Sequence, residues 1–105
     1  MSFWDKVNSL SLQNFRPGIQ SRAEIGNRLI MALMEIGPGK EDSGHQHPFE
    51  QCGIVTEGEI EMFIGDDHRI LKPMDAYFIP SGAFHGWKTF EGSVKILDVS
   101  AKQDG

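Results

Sequence analysis

Apolar and polar positions alternate along this chain in short segments, and turn-forming residues interrupt them roughly every 5 to 10 residues. The breaks are Pro17-Gly18, Gly26-Asn27, Gly37-Pro38-Gly39, Glu57-Gly58-Glu59, Gly65-Asp66-Asp67, Lys72-Pro73 and Pro80-Ser81-Gly82. Segments this short predict strands rather than helices. Ile60, Met62 and Ile64 alternate with Glu61 and Phe63, the period of two that turns one face of a strand to a core. Gly65-Asp66-Asp67 then predicts a hairpin into residues 68–71, with His68 solvated just past the turn. Residues 29–36 are apolar at nearly every position, which predicts a strand covered on both faces. Residues 76–79, 83–90 and 94–100 supply three more strands. Residues 1–15, with Phe3, Trp4, Val7, Leu10, Leu12 and Phe15, read as a short helix or an arm over a neighbouring subunit, and residues 16–102 as one all-β domain.

Composition narrows the function classes. A chain of 105 residues has room for one core, and 39% hydrophobic residues is an ordinary globular proportion. Ten Lys and Arg against 15 Asp and Glu give a net charge of −5, with no basic stripe to follow a phosphate backbone, so nucleic acid is not an expected partner. The single cysteine, Cys52, cannot form an intrachain disulfide. The first six residues lack the basic and apolar parts of a signal peptide, and the longest aliphatic run, residues 29–34, is too short to cross a bilayer. A cytoplasmic protein with no membrane partner is the expectation.

The candidate chemistry lies in His45-Gln46-His47, in Gln51 and in His85. Residues two apart on a strand share a face, so His45 and His47 can aim two imidazoles into one volume, and imidazole is a frequent metal ligand. Gln51 has the same parity if the chain stays extended, but Pro48 favours a turn, and His85 needs the tertiary fold to deliver it. Spacing alone leaves open that these are surface or hydrogen-bonded histidines.

These residues also fall on a known pattern, and the chain resembles a small single-domain cupin. Gly39, five residues, His45-x-His47, three residues, position 51, six residues and Gly58 follow the first cupin motif, with Gln51 in place of its glutamate. Pro80-x-Gly82, two residues and His85 follow the second, with Met74 in place of its first glycine and Thr89 in place of its asparagine. The resemblance covers residues 37–100 and implies a double-stranded β-helix, the jelly-roll barrel. It implies a divalent transition metal (Mn, Fe, Co, Ni, Cu or Zn) held by His45, His47, Gln51 and His85. It also implies a homodimer formed through an outer sheet face, with residues 29–36 and the amino-terminal arm as interface candidates. A neutral glutamine in the glutamate's place leaves the ion's charge uncompensated, so the ligand is expected to be a small anionic molecule.

The run His45-Gln46-His47-Pro48-Phe49-Glu50-Gln51 is similar to the HxHPxxQ signature of small cupins that linearise unsaturated uronates. In that group an aspartate opens an Asp-Val-Phe-Ser-Pro tail leading to an arginine; here Asp98-Val99-Ser100 matches its start, and the aromatic and arginine are missing. The resemblance makes Asp98 the catalytic acid-base candidate, facing the barrel if it keeps the parity of Val94 and Ile96. Trp87, two residues after His85, shares the ligand-facing side, and Phe49 and Tyr77 are the other candidate substrate-binding aromatics, with Phe63 and Phe84 as possible walls. Isomerisation or ring opening by metal-assisted proton transfer is the leading expectation. A metal-dependent dioxygenase and a non-catalytic sugar or metabolite sensor are the alternatives. Cys52, next to a ligand on a strand, points away from the site and is a packing residue.

Overall fold

The structure, a computed structural model, describes residues 10–102. Ten strands follow one another: β1 Gln13–Arg16, β2 Ile19–Ile25, β3 Leu29–Ile36, β4 Glu41–His45, β5 Gln51–Glu57, β6 Ile60–Ile64, β7 Asp67–Leu71, β8 Ala76–Ile79, β9 His85–Thr89 and β10 Val94–Ala101. The described residues contain no helix. Six strands form one sheet in the order β1-β2-β3-β10-β5-β8, four form the other in the order β4-β9-β6-β7, and every pairing is antiparallel. Two packed sheets with these crossovers make the expected jelly roll. The arm-or-helix expectation for residues 1–15 falls mostly on residues 1–9, outside the described residues. Of the rest, Gln13–Arg16 is strand and pairs with β2.

The apolar period of two sets which side of each strand is buried. Along β10, Val94, Ile96 and Asp98 are buried and the residues between them are not. They meet Ile36, Met34 and Ala32 of β3 in register. From the opposite sheet, Ile60 and Met62 of β6 and Leu71 of β7 close the core with Ile19, Val55 and Tyr77. The continuous apolar run of β3 predicts a second covered face, and that face is covered only in part, at Leu33, while Leu29 is 57% exposed. Leu33 is 2% exposed yet lies outside the inter-sheet core, beside Leu97, which in turn pairs with Ile54. The Gly65-Asp66-Asp67 break is a hairpin turn that pairs Ile64 with Asp67, and exposed His68 stacks on Phe63 at 5.3 Å.

Met74 carries a cost that its sequence position foretells. In the turn between β7 and β8 it has φ 76°, the only non-glycine with positive φ among the described residues, and it occupies the place of a family glycine. Its N–H donates to Val55 O at 2.8 Å, which holds the conformation, while its side chain is 76% exposed and buries little. Left-handed backbone costs an L-residue roughly 1–2 kcal/mol, and glycine's extra chain entropy returns part of that. Met74→Gly is therefore expected to raise the unfolding free energy by about 0.5–1 kcal/mol. Chemical denaturation checks it, and a lower midpoint would contradict the assignment of strain.

Candidate metal centre

Two strand ends and one connecting segment bring the histidines together. β4 ends at His45 and β9 begins at His85, and these two residues face each other in register. The expectation that one strand carries both His45 and His47 is corrected here: β4 stops at His45, and His47 lies in the connection to β5. Pro48 follows at once and favours a turn, so the connection, not strand alternation, delivers the second imidazole. The His45 and His85 ring centroids are 4.3 Å apart, those of His47 and His85 4.8 Å, and those of His45 and His47 5.5 Å. One nitrogen from each ring lies within 4.8 Å of the other two, so the three could hold an ion.

Each ring is held by its other nitrogen. His47 Nδ1 is 2.9 Å from Phe49 O and His85 Nδ1 is 2.9 Å from Ala83 O; carbonyls only accept, so both Nδ1 atoms carry the proton. His45 Nδ1 is 3.1 Å from Asp42 Oδ2, a carboxylate–imidazole pair that fixes its tautomer in the same way. All three Nε2 atoms are thereby left as lone pairs. His85 Nε2 is buried and has no hydrogen-bond partner among the described residues. Burial also lowers the pKa of His85, which keeps the ring neutral and able to ligate.

Gln51 begins β5 and adds an oxygen. Its Oε1 lies 3.0 Å from His47 Nε2, and its Nε2 donates to Asp98 Oδ2 at 2.8 Å, which orients the amide. With the His47 proton already on Nδ1, two acceptor lone pairs confront each other. A proton on His47 would relieve that contact and leave the His85 orphan unexplained. A metal ion bound by all four groups relieves both, so the donor set fits a metal.

Asp98 is 5% exposed and sits beneath this cluster. Burial raises its carboxyl pKa, opposed by hydrogen bonds from Tyr77 and Gln51. The Tyr77 hydroxyl donates to Asp98 Oδ2, and its own pKa is raised by burial first and then by the charge of Asp98. Register explains the reach. Tyr77 pairs with Gly53 and Gly53 with Asp98, so the tyrosine crosses a whole strand, and only a residue without a side chain lets it pass.

A cavity of about 190 Å³ reaches all of these groups but His47, which is not among its lining residues. His45, Gln51, His85, Asp98, Tyr77 and Trp87 line it over an apolar floor that includes Ile36 and Ile96. Phe49 stands elsewhere: its ring stacks on His47 at 3.8 Å and 3°, and it is not among the lining residues. Phe63 and Phe84 pack on each other at 5.8 Å, also away from the cavity wall. Thr89 ties down the loop before β4, donating to Gly37 O at 2.7 Å and accepting from Lys40 N at 2.8 Å. Cys52 pairs with Val99 and Phe78, on the parity opposite to Gln51. Sequence reasoning missed Asp42 and Gly53. Asp42 carried one signal, a carboxylate three residues before a candidate ligand.

Comparison with known proteins bears on the family and the fold. The Cupin_2 family model, described as Cupin domain, matches residues 32–100. A pectin degradation protein, KdgF, of Dickeya dadantii is 34% identical over 77 residues, 71% of this chain and 70% of that one. A cupin-domain-containing oxidoreductase, srdB, of Neurospora crassa is 34% identical over 65 residues, 61% of this chain, but the match spans only 33% of that protein. Among solved structures, KdgF from Halomonas sp. superposes with a TM-score of 0.86 at 24% identity, covering 99% of this chain and 96% of the other, a likeness of fold.

Proposed function

Since this chain belongs to the cupin-domain family, we propose that it is a metal-dependent enzyme that moves a proton beside the carbonyl of a small anionic sugar derivative, isomerising it or opening its ring. The observation that carries this reading is the convergence of three imidazole lone pairs and one amide oxygen beside a cavity that His45, His85, Gln51 and the buried Asp98 line. His45, His47, Gln51 and His85 would hold the ion. When bound, a divalent cation polarises a carbonyl and offsets the negative charge that develops as the neighbouring carbon loses its proton. Asp98 is the acid-base group. Both of its hydrogen bonds fall on Oδ2, so Oδ1 is the atom that takes and returns the proton. A carboxyl whose pKa burial has raised is suited to carry a proton nearer to neutral pH. Tyr77 and Trp87 flank the substrate, and Phe49 acts through His47, fixing its ring by stacking and by its carbonyl. The same reading makes the protein a homodimer through the outer face of the six-stranded sheet, where Leu29 and Phe78 are 57% exposed.

Support for the substrate class comes from the Dickeya relative, whose name ties it to pectin breakdown and of which most of the length is matched. The test is direct. Metal-loaded protein is expected to speed the loss of the ring form of a 4,5-unsaturated galacturonate, and chelator-treated protein is not. Full metal occupancy without any acceleration would overturn the reading. The Neurospora relative favours oxidation as a second reading, matched over a third of that protein, and oxygen uptake by iron-loaded protein would put oxidation in the place of isomerisation. Tight uronate binding with neither product nor oxygen uptake would leave a sensor.

A further inference from the structure

The substrate proposed above is an anion, and Asp98, its proposed acid-base group, lies on the last of the described strands. The structure brings a cation to the cavity from the other end of the chain. We propose that Arg16 takes the carboxylate of the substrate and selects acids over their neutral analogues. The inference deepens the functional reading, because it assigns an anchor for the ligand of that same site.

Local sequence explains how Arg16 arrives there. Arg16-Pro17-Gly18-Ile19 is a tight turn with Pro17 fixing one backbone angle and Gly18 at φ 79°, the left-handed value that position requires. Arg16 is the register partner of Ile19, and partners across an antiparallel pair project to the same side. Ile19 is 5% exposed in the core, and Arg16, itself exposed, stands at the rim on that side. The pairing of β1 with β2 shifts between Asn14 and Arg16, an irregularity of the kind that re-aims a side chain beside a site. Arg16 accordingly lines the histidine cavity, and it also lines an adjoining groove of about 370 Å³. The two spaces share Arg16, Ile19, Asp42 and Trp87 and so form one elongated site, with His45 and His85 in one part and Arg16 at the junction.

Charge supports the assignment. Arg16 is the one Arg or Lys among the residues lining the histidine cavity. No ion pair links it to a carboxylate among the described residues, and its one described partner is the Phe15 ring, 5.4 Å from Cζ, which restrains the guanidinium without neutralising it. The carboxylate that lines both spaces is committed: Asp42 Oδ2 holds His45 and Oδ1 accepts from Gly44 N at 2.9 Å. Lys40 and Glu41 also line the groove and offset each other in sign. A planar guanidinium pairs with a carboxylate through two parallel hydrogen bonds, a geometry that an ester or a hydroxymethyl group cannot reproduce.

Calorimetric titration of the metal-loaded protein with galacturonate, its methyl ester and galactose tests this. Wild-type protein is expected to bind the acid about 10- to 100-fold more tightly than the ester or galactose. Arg16→Gln is expected to erase that preference by weakening the acid alone, and Arg16→Lys to retain part of it, with metal content and thermal midpoint unchanged in both. A wild-type protein without acid preference, or an Arg16→Gln variant that keeps it, overturns the inference. The outcomes separate from those of the functional reading. An Arg16-dependent preference in a protein that never opens a uronate ring sinks the enzyme and keeps the anchor, whereas ring opening indifferent to Arg16 does the reverse.

Discussion

His85→Ala is expected to lower bound transition metal from close to one ion per chain to below about a tenth, and to abolish metal-dependent turnover with it. His85 is the ring nearest to both of the others and the only one of the three that is buried, so it supplies the site's innermost nitrogen. Without it, His45 and His47 remain as a pair 5.5 Å apart, with Gln51 as their only further donor. The apo protein is expected to respond quite differently. Its His85 Nε2 is a buried polar atom with no partner among the described residues, so its removal takes away a desolvation cost while opening a small cavity, and the two effects oppose each other. Metal that binds only the folded state adds about 4 kcal/mol at a thousand times its dissociation constant. Thermal melts should therefore show apo wild type and apo variant within a few degrees of each other, and a metal-induced rise in wild type alone. Equal metal content and an equal rise in the variant would remove His85 from the centre.

What the chain made legible was whatever depends on local period. Val94, Ile96 and Asp98 alternate with less buried residues, and the sequence offered that parity for Asp98 only as a condition, against a solvated place at a strand end; the structure buries it. The hairpin at Gly65-Asp66 follows from the same kind of signal, and of the second covered face read for β3 only Leu33 is buried. The histidine spacing was legible for a different reason, because the two motif segments each span one turn and a strand end. Strand boundaries were not. Nothing local says that β4 stops at His45 rather than at His47, since the termination depends on where the opposite strand β9 begins. Nor was the Tyr77–Gly53–Asp98 row readable. Three residues from three strands come side by side only through register, which the whole sheet sets. Arg16 was hidden for the same reason: its turn can be read from Pro17-Gly18, but the register shift that re-aims it cannot.

Gly53→Ala is expected to destabilise the fold by about 2–3 kcal/mol, at the upper end of what one added methyl group costs in a packed interior. A Cβ at position 53 would collide with the Tyr77 hydroxyl, approach Tyr77 Cζ to 2.6 Å and lie 2.7 Å from Leu97 O. The carbonyl belongs to β10, an interior strand of the six-stranded sheet, and cannot retreat without breaking its ladder, so the tyrosine ring must swing away. Its bond to Asp98 then breaks, and a buried carboxylate keeps only the Gln51 amide as a donor. Simple overpacking makes the same stability prediction, so the discriminating measurement is a double-mutant cycle with Tyr77→Phe. In wild type the phenylalanine removes a hydrogen bond to a buried charge and should cost roughly 1.5–3 kcal/mol. In the Gly53→Ala background that bond is already lost, so the same change should cost much less, giving a coupling of about 1 kcal/mol or more. Strictly additive costs would mean that Tyr77 reaches Asp98 without needing the gap at Gly53. In that case the glycine would serve backbone packing alone, and the row across β8, β5 and β10 would have no part in holding the acid beneath the histidines.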